Sequence, residues 1–181
     1  MRSDALLAFV PINGNLSMVA GAGVDIPSTN VIDLLGGGVG TAVTNIIGRA
    51  TLPGQMDGMG VGGIRPELNV TVGTALATSS SATLNVAFEA AADDGSNQPD
   101  TWYTLVETGE LTAAQCAAET VIARLPWLPP FPANLRPRFL RLLFKVPAGT
   151  TFTAGTISSA LVTTVRDDQF NKQASSNYTV L

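Results

Sequence analysis

Apolar and polar residues alternate with a period of two in several stretches of the chain. In Glu67–Leu76 the residues Leu68, Val70, Val72 and Leu76 share one side, with Asn69, Thr71 and Gly73 on the other. In Ala82–Ala90 the apolar side is Leu84, Val86, Phe88 and Ala90, opposed by Thr83, Asn85 and Glu89. Successive side chains of an extended chain point to opposite faces, so the pattern predicts half-buried strands. The link ATSSSA between them is small and polar, as a hairpin loop is. The loop AADDGSNQPD then leads into a third strand at TWYTLVET.

Further along, GELTAAQCAAETVIARLPW divides in two. Its first half predicts one helical turn capped near Thr112, and ETVIARL predicts a strand. The stretch RPRFLRLLFKV is ambiguous by pattern alone. Leu140, Leu142, Phe144 and Val146 make a face at period two, while Phe139, Leu142, Leu143 and Val146 make a helical stripe. Pro137 and Pro147 bracket too few residues for a typical helix, and the following GTISSALVTTV is rich in β-branched residues. Two strands joined by PAGTTFTA are therefore expected.

Residues 1–66 read differently. Gly-dense pieces such as LLGGGVG (34–40) and GQMDGMGVGG (54–63) disfavour helix, because each Gly gives up backbone entropy on ordering. The expectation is an extended Gly-rich N-terminal arm with loops, carrying one or two short strands at VIDLL and TAVTNIIGRA. A core over residues 67–181 follows, all within a single domain. About seven or eight short strands separated by turn signals predict an all-β fold, an antiparallel jelly roll or β-sandwich.

Composition narrows the function. The 181 residues are 45 % hydrophobic and only 13 % charged, so the surface is built largely from Ser, Thr, Asn and Ala. The net charge of −4 and the scattered Lys and Arg, apart from Arg136, Arg138 and Arg141, argue against direct contact with nucleic acid, whose phosphates need a basic stripe. Histidine is absent, which removes the commonest general base and the commonest metal ligand. Cys116 is the one cysteine, so neither an intrachain disulfide nor a cysteine-based zinc site is possible. Its setting, TAAQCAAE, reads as a small buried residue rather than a nucleophile. The start of the chain lacks the long apolar run of a secretory signal, and no segment has the roughly 18 consecutive apolar residues of a membrane span. These features lead to the expectation of a soluble protein made in a reducing cytoplasm, with no cofactor and no membrane partner.

Each candidate site has a plain alternative. GGGVG (36–40) fits neither nucleotide fingerprint, since Ala42 and Val43 stand where the further Gly of a dinucleotide loop would be. Asp93, Asp94, Asn97 and Asp100 offer the oxygen ligands that calcium takes, and a solvated loop tip explains them equally. Asp167 and Asp168 read as a solvated pair. The segment LPWLPPFP (125–132) cannot form helix or a central strand. Its extended shape is partly preset, which lowers the entropic cost of docking. Trp127 and Phe131 are then either an aromatic contact strip for a partner or a rigid connection folded onto the protein's own core.

Three segments carry a family resemblance: STNVIDLL at 28–35, LRPRFLRLLFKV, and TFTAGTISSALV with Ala160, Leu161 and Val162. In order and spacing the chain resembles the jelly-roll capsid cement (decoration) proteins of tailed phages, the Bordetella-phage type. The Gly-rich stretch at 36–63 and the LPWLPPFP strip look longer than a minimal member needs. The resemblance implies a structural virion protein and no enzyme. It would be made in the host bacterial cytoplasm and sit on the outer capsid surface, binding the major capsid protein and itself as a dimer or trimer. On this reading Leu6, Leu7, Phe9 and Val10 of the arm, with Trp127 and Phe131, supply the contacts to neighbours. A second reading is a carbohydrate- or receptor-binding jelly roll of a tail or spike, for which Trp102, Tyr103 and Trp127 are the available aromatics.

Overall fold

The alternating stretches fold as strands. The computed structural model of the protein describes residues 3–34, 66–126, 131–132 and 135–164. In chain order the strands are β1 (Ser3–Val10), β2 (Leu16–Ser17), β3 (Ile26–Pro27), β4 (Ile32–Asp33), β5 (Pro66–Val72), β6 (Ala77–Thr78) and β7 (Thr83–Asp93). They continue as β8 (Pro99–Glu107), β9 (Leu111–Thr112), β10 (Val121–Pro126), β11 (Phe139–Lys145), β12 (Phe152–Ala154) and β13 (Thr156–Thr164). Among the described residues the helical content is one 3-10 turn at Ala113–Gln115, next to the expected cap at Thr112.

The first sheet runs β1-β13-β5-β10, with β2 added against β13. The second runs β3-β11-β7-β8, with β4 also on β11 and β9 on β7, and β6 and β12 make a short pair of their own. Neighbouring strands are antiparallel throughout. Both sheets contribute to one core: Leu68, Val70 and Val72 from β5, Leu84, Val86 and Phe88 from β7, and Leu140, Leu142 and Phe144 from β11 are all fully buried. Phe9 of the first sheet meets Phe88 of the second edge to face, with ring centroids 5.7 Å apart. The fold is thus all-β, two antiparallel sheets packed as a sandwich. Removing each such side chain from water contributes roughly 1.5–3 kcal/mol, which makes the two-period pattern the main source of the architecture.

Two departures from strict alternation have identifiable causes. In β1 the partners of Ala8 and Val10 are Leu161 and Ala160, so two steps along β1 face one step along β13. The extra residue is a β-bulge, and it lets both Phe9 and Val10 turn into the core. In β13 a second irregularity between Ile157 and Ser159 places Ile157, Ala160 and Val162 in the core.

The N-terminal segment is the largest difference from the expectation. Residues 3–10 are a full strand hydrogen-bonded to β13, and β3 and β4 pair with β11 in the second sheet. Residues 3–34 are therefore part of the sandwich and not an arm lying outside it. Of the sequence-expected strands, VIDLL contains β4, while TAVTNIIGRA lies outside the described residues. The PAGTTFTA link also carries β12, which the pattern did not indicate.

The connections sort to two ends. Residues 11–25, 73–82, 108–120 and 146–155 gather at one end, tied by bonds such as Gly23 N to Thr150 O, Leu76 N to Cys116 O and Gly73 N to Thr156 O. At the other end Ser3 is level with Thr163, Pro66 with Thr164, Pro126 with Glu67, and Phe139 with Asp33 and Ala91. Close approach at the first end depends on glycine. Gly155 sits at φ +130°, and a Cβ there would come within 2.9 Å of the Leu76 Cα.

Candidate functional site

The densest polar constellation lies where β4, β7 and the residues before β11 meet. Arg138 is buried, and its guanidinium forks onto Asp33, with Nε donating to Oδ1 at 3.1 Å and Nη2 donating to Oδ2 at 3.0 Å. Its Nη1 donates to Asn97 Oδ1 at 2.8 Å and to Asp93 Oδ2. The main chain of Arg138 joins the same elements, since its N–H donates to Ala91 O and its C=O accepts from Leu34 N. One residue thus fastens its own stretch to two remote ones, Asp33–Leu34 and Ala91–Asn97.

The acidic loop is organised around this arginine. Asp93 Oδ1 accepts from the amides of Gly95 and Asn97, and Asp94 Oδ1 accepts from Ser96 and Gln98. Burial works against ionisation of Asp93, but the Gly95 amide, the Arg138 guanidinium and the Asn97 amide together hold its carboxyl below the ordinary range. On Arg138 the Asp33 hydrogen bonds come first, and with Asp93 they outweigh burial and push the guanidinium's affinity for its proton up. Two of the oxygen sources considered for calcium, Asp93 and Asn97, therefore already face a protein cation.

A second cluster covers the outward face of the second sheet. Arg141 donates from Nε to Glu89 Oε2 at 2.8 Å, and Thr104 Oγ1 donates to Glu89 Oε1 at 3.2 Å. The Arg141 guanidinium also stacks over the Trp102 ring, 4.1 Å from its centroid, an arrangement that favours the cation electrostatically. Further along the same strands Lys145 donates to Glu107 Oε1 and Asn85 Nδ2 donates to Glu107 Oε2 at 2.8 Å. Hydrogen bonds from Lys145, then Asn85, hold the Glu107 carboxyl below its usual range against the cost of burial. Oppositely charged neighbours across adjacent strands rigidify a sheet face; they set up no nucleophile beside a base.

STNVIDLL acts structurally. Ser28 Oγ accepts from Leu142 N at 3.1 Å and Ser28 N donates to Leu142 O, filling the gap in the β11 ladder between β3 and β4. Asn30 Nδ2 donates to Ala8 O at 2.9 Å, so this segment also holds β1, in the opposite sheet. Asp33 completes it by receiving Arg138.

The residues proposed for contacts fall in different places. Phe9 and Val10 are fully buried in the core, so their side chains are unavailable to a neighbour while the sandwich is folded. The bulge in β1, invisible to a period-two reading, is the reason. Leu6 and Leu7 belong to β1. Phe131 is partly buried against the core, while Trp127 lies outside the described residues. Gly36–Gly40 and Asp167–Asp168 also lie outside them. Trp102 and Tyr103 are consecutive in β8, paired with Ala91 and Ala90, and so face opposite sides of the sheet. With one Trp102 face under Arg141, the two aromatics do not form a joint platform for a sugar ring. Cys116 is fully buried, and burial pushes its thiol pKa up.

Sequence reasoning did not single out Arg141 with Trp102, because cross-strand neighbours are fixed by register alone. No known family model matches the sequence, and a search of curated proteins finds no match.

Proposed function

We propose that the protein is a decoration, or cement, protein of a tailed-phage head, a jelly roll that binds the outer capsid surface and bridges major capsid protein subunits. The strand order is the observation that carries this reading. The main paths of the two sheets run β1-β13-β5-β10 and β3-β11-β7-β8, and in chain order these eight strands change sheet at each step except the β7–β8 hairpin. That alternation supports a jelly roll. Two of the three segments that carry the family resemblance come together in space, since Ile32 pairs with Leu140 and Asp33 receives Arg138, while the third supplies β13, between β1 and β5 in the facing sheet.

The role fits the surface. Packed DNA presses outward on a shell, and a clamp across neighbouring subunits adds interface free energy where the lattice would part. Many copies acting together allow each contact to be modest. A surface with few charges is buried at small desolvation cost. The reading involves no bond made or broken. It keeps the virion exterior as the location and self-association as a dimer or trimer. Leu6, Leu7, Trp127 and the partly buried Phe131 stay with the contact reading, whereas Phe9 and Val10 belong to the core.

Cosedimentation with phage heads prepared without the protein tests it. Saturable binding, and heads that release DNA at a higher temperature once decorated, are expected. Failure to bind heads together with a positive glycan-array result would replace this reading with that of a receptor-binding domain.

A further inference from the structure

We infer that the end of the sandwich built by residues 11–25, 73–82, 108–120 and 146–155 is a docking face for a protein surface that presents an apolar patch bordered by Lys or Arg. Among the described residues, the large apolar side chains left exposed are Ile12 at 61 %, Val19 at 52 %, Val24 at 50 %, Val121 at 45 % and Tyr103 at 50 %. The first four lie at this end, and only Tyr103, on β8, does not. Scattered exposed apolar residues are ordinary; their concentration at one end of a sandwich is not.

This end is also built to hold its shape. Thr151 fastens three of the four connections: its hydroxyl donates to Ala20 O at 2.9 Å, its amide donates to Ser80 Oγ at 2.9 Å, and its carbonyl accepts from Thr78 Oγ1 at 2.9 Å. The fourth joins through Leu76 N donating to Cys116 O at 3.1 Å. Gly23, at φ +68°, lies so close to the 146–155 connection that a Cβ would come within 2.7 Å of the Ala148 Cα. A side chain there would force the two connections apart. A face ordered before its partner arrives loses little conformational entropy on binding.

Charge selects the partner. The four connections contain Asp25, Glu110 and Glu119 and no Lys or Arg. All three carboxylates are exposed, and Asp25 also accepts from Val146 N. Like charges oppose a second copy docking end to end, and they oppose nucleic acid and anionic lipid. A basic border around an apolar centre complements them. If the chain coats a phage head, the partner is the major capsid protein; that clause alone rests on the cement reading.

The test uses the full chain and two amphipathic peptides of equal length, one Leu/Lys and one Leu/Glu. On titration with the Leu/Lys peptide, amide shifts are expected to centre on Val19–Val24, Gly149 and Glu119. The affinity should fall about tenfold or more in V19S/V24S and in E110K/E119K, and fall with salt. Both variants alter exposed positions, and an unchanged thermal midpoint verifies their folds. Shifts centred elsewhere, an equal response to the Leu/Glu peptide, or a wild-type self-association that V19S/V24S abolishes would each overturn the inference. Binding to bare heads separates the two readings. Heads that take wild type but not V19S/V24S identify the capsid as partner, and heads that take both equally refute the docking face. Heads that take neither, beside a positive peptide result, refute only the cement reading.

Discussion

Arg138 and Asp33, 105 positions apart in the chain, meet as a two-pronged ion pair with N–O distances of 3.1 and 3.0 Å, both side chains almost wholly buried. Such a pair is costly to break from one side only, because the remaining charge stays buried without its partner. R138A is therefore expected to lower the thermal midpoint by several degrees and to speed amide exchange at Leu34, Gly95 and Asn97. R138K retains the charge but loses the fork, so it should recover only part of the loss. In a double-mutant cycle, R138A with D33A should destabilise less than the two single changes added together.

Acid should weaken the fold. Asp93 and Glu107 are held below their ordinary values of 3.8 and 4.5 in the folded protein. At pH near those values the unfolded chain binds protons that the folded chain does not, so stability falls as pH falls. Their contribution is complete above the ordinary values and is lost as pH drops through the lower, folded ones. Urea midpoints measured from pH 6 down to pH 2.5 should decline most steeply below about pH 4.5. Replacing Glu107 by Gln should flatten that decline.

Phe9 belongs to the core, so F9A should cost about 3–5 kcal/mol, measured by denaturant unfolding. Removal of residues 1–12 would take β1 from its place beside β13 and is expected to unfold the domain, not simply to release an arm. A truncated chain with native near-UV circular dichroism would contradict this.

Ser28 offers a smaller, cleaner test. S28A removes the acceptor for the buried Leu142 amide and should cost about 1–3 kcal/mol. Protection of the Leu142 amide against exchange should fall with it.

Cys116 is fully buried with its thiol pKa raised. It should resist thiol reagents at neutral pH and react only as fast as the protein opens, so labelling in rising urea should follow the unfolding curve.

Much of the sandwich is legible in the order of residues alone. The alternation in Glu67–Leu76, Ala82–Ala90 and Leu140–Val146 places Leu68, Val70, Val72, Leu84, Val86, Phe88, Leu140, Leu142 and Phe144 inside, and all are fully buried. Burial on one face of a strand is a local, periodic requirement, and it leaves a periodic trace in the chain. The contact residues are less legible. Phe9 and Val10 are adjacent apolar residues, and adjacency reads as an arm unless a bulge is known to turn both inward.

The sequence by itself determined the strand content and the inward faces, because both follow from which side chains leave water. Only the tertiary structure decided that residues 3–34 complete the two sheets, that Arg138 occupies the acidic loop, and that four uncharged or acidic connections converge at one end. Those outcomes depend on strand order and register, which bring together residues separated by most of the chain. No local pattern encodes them.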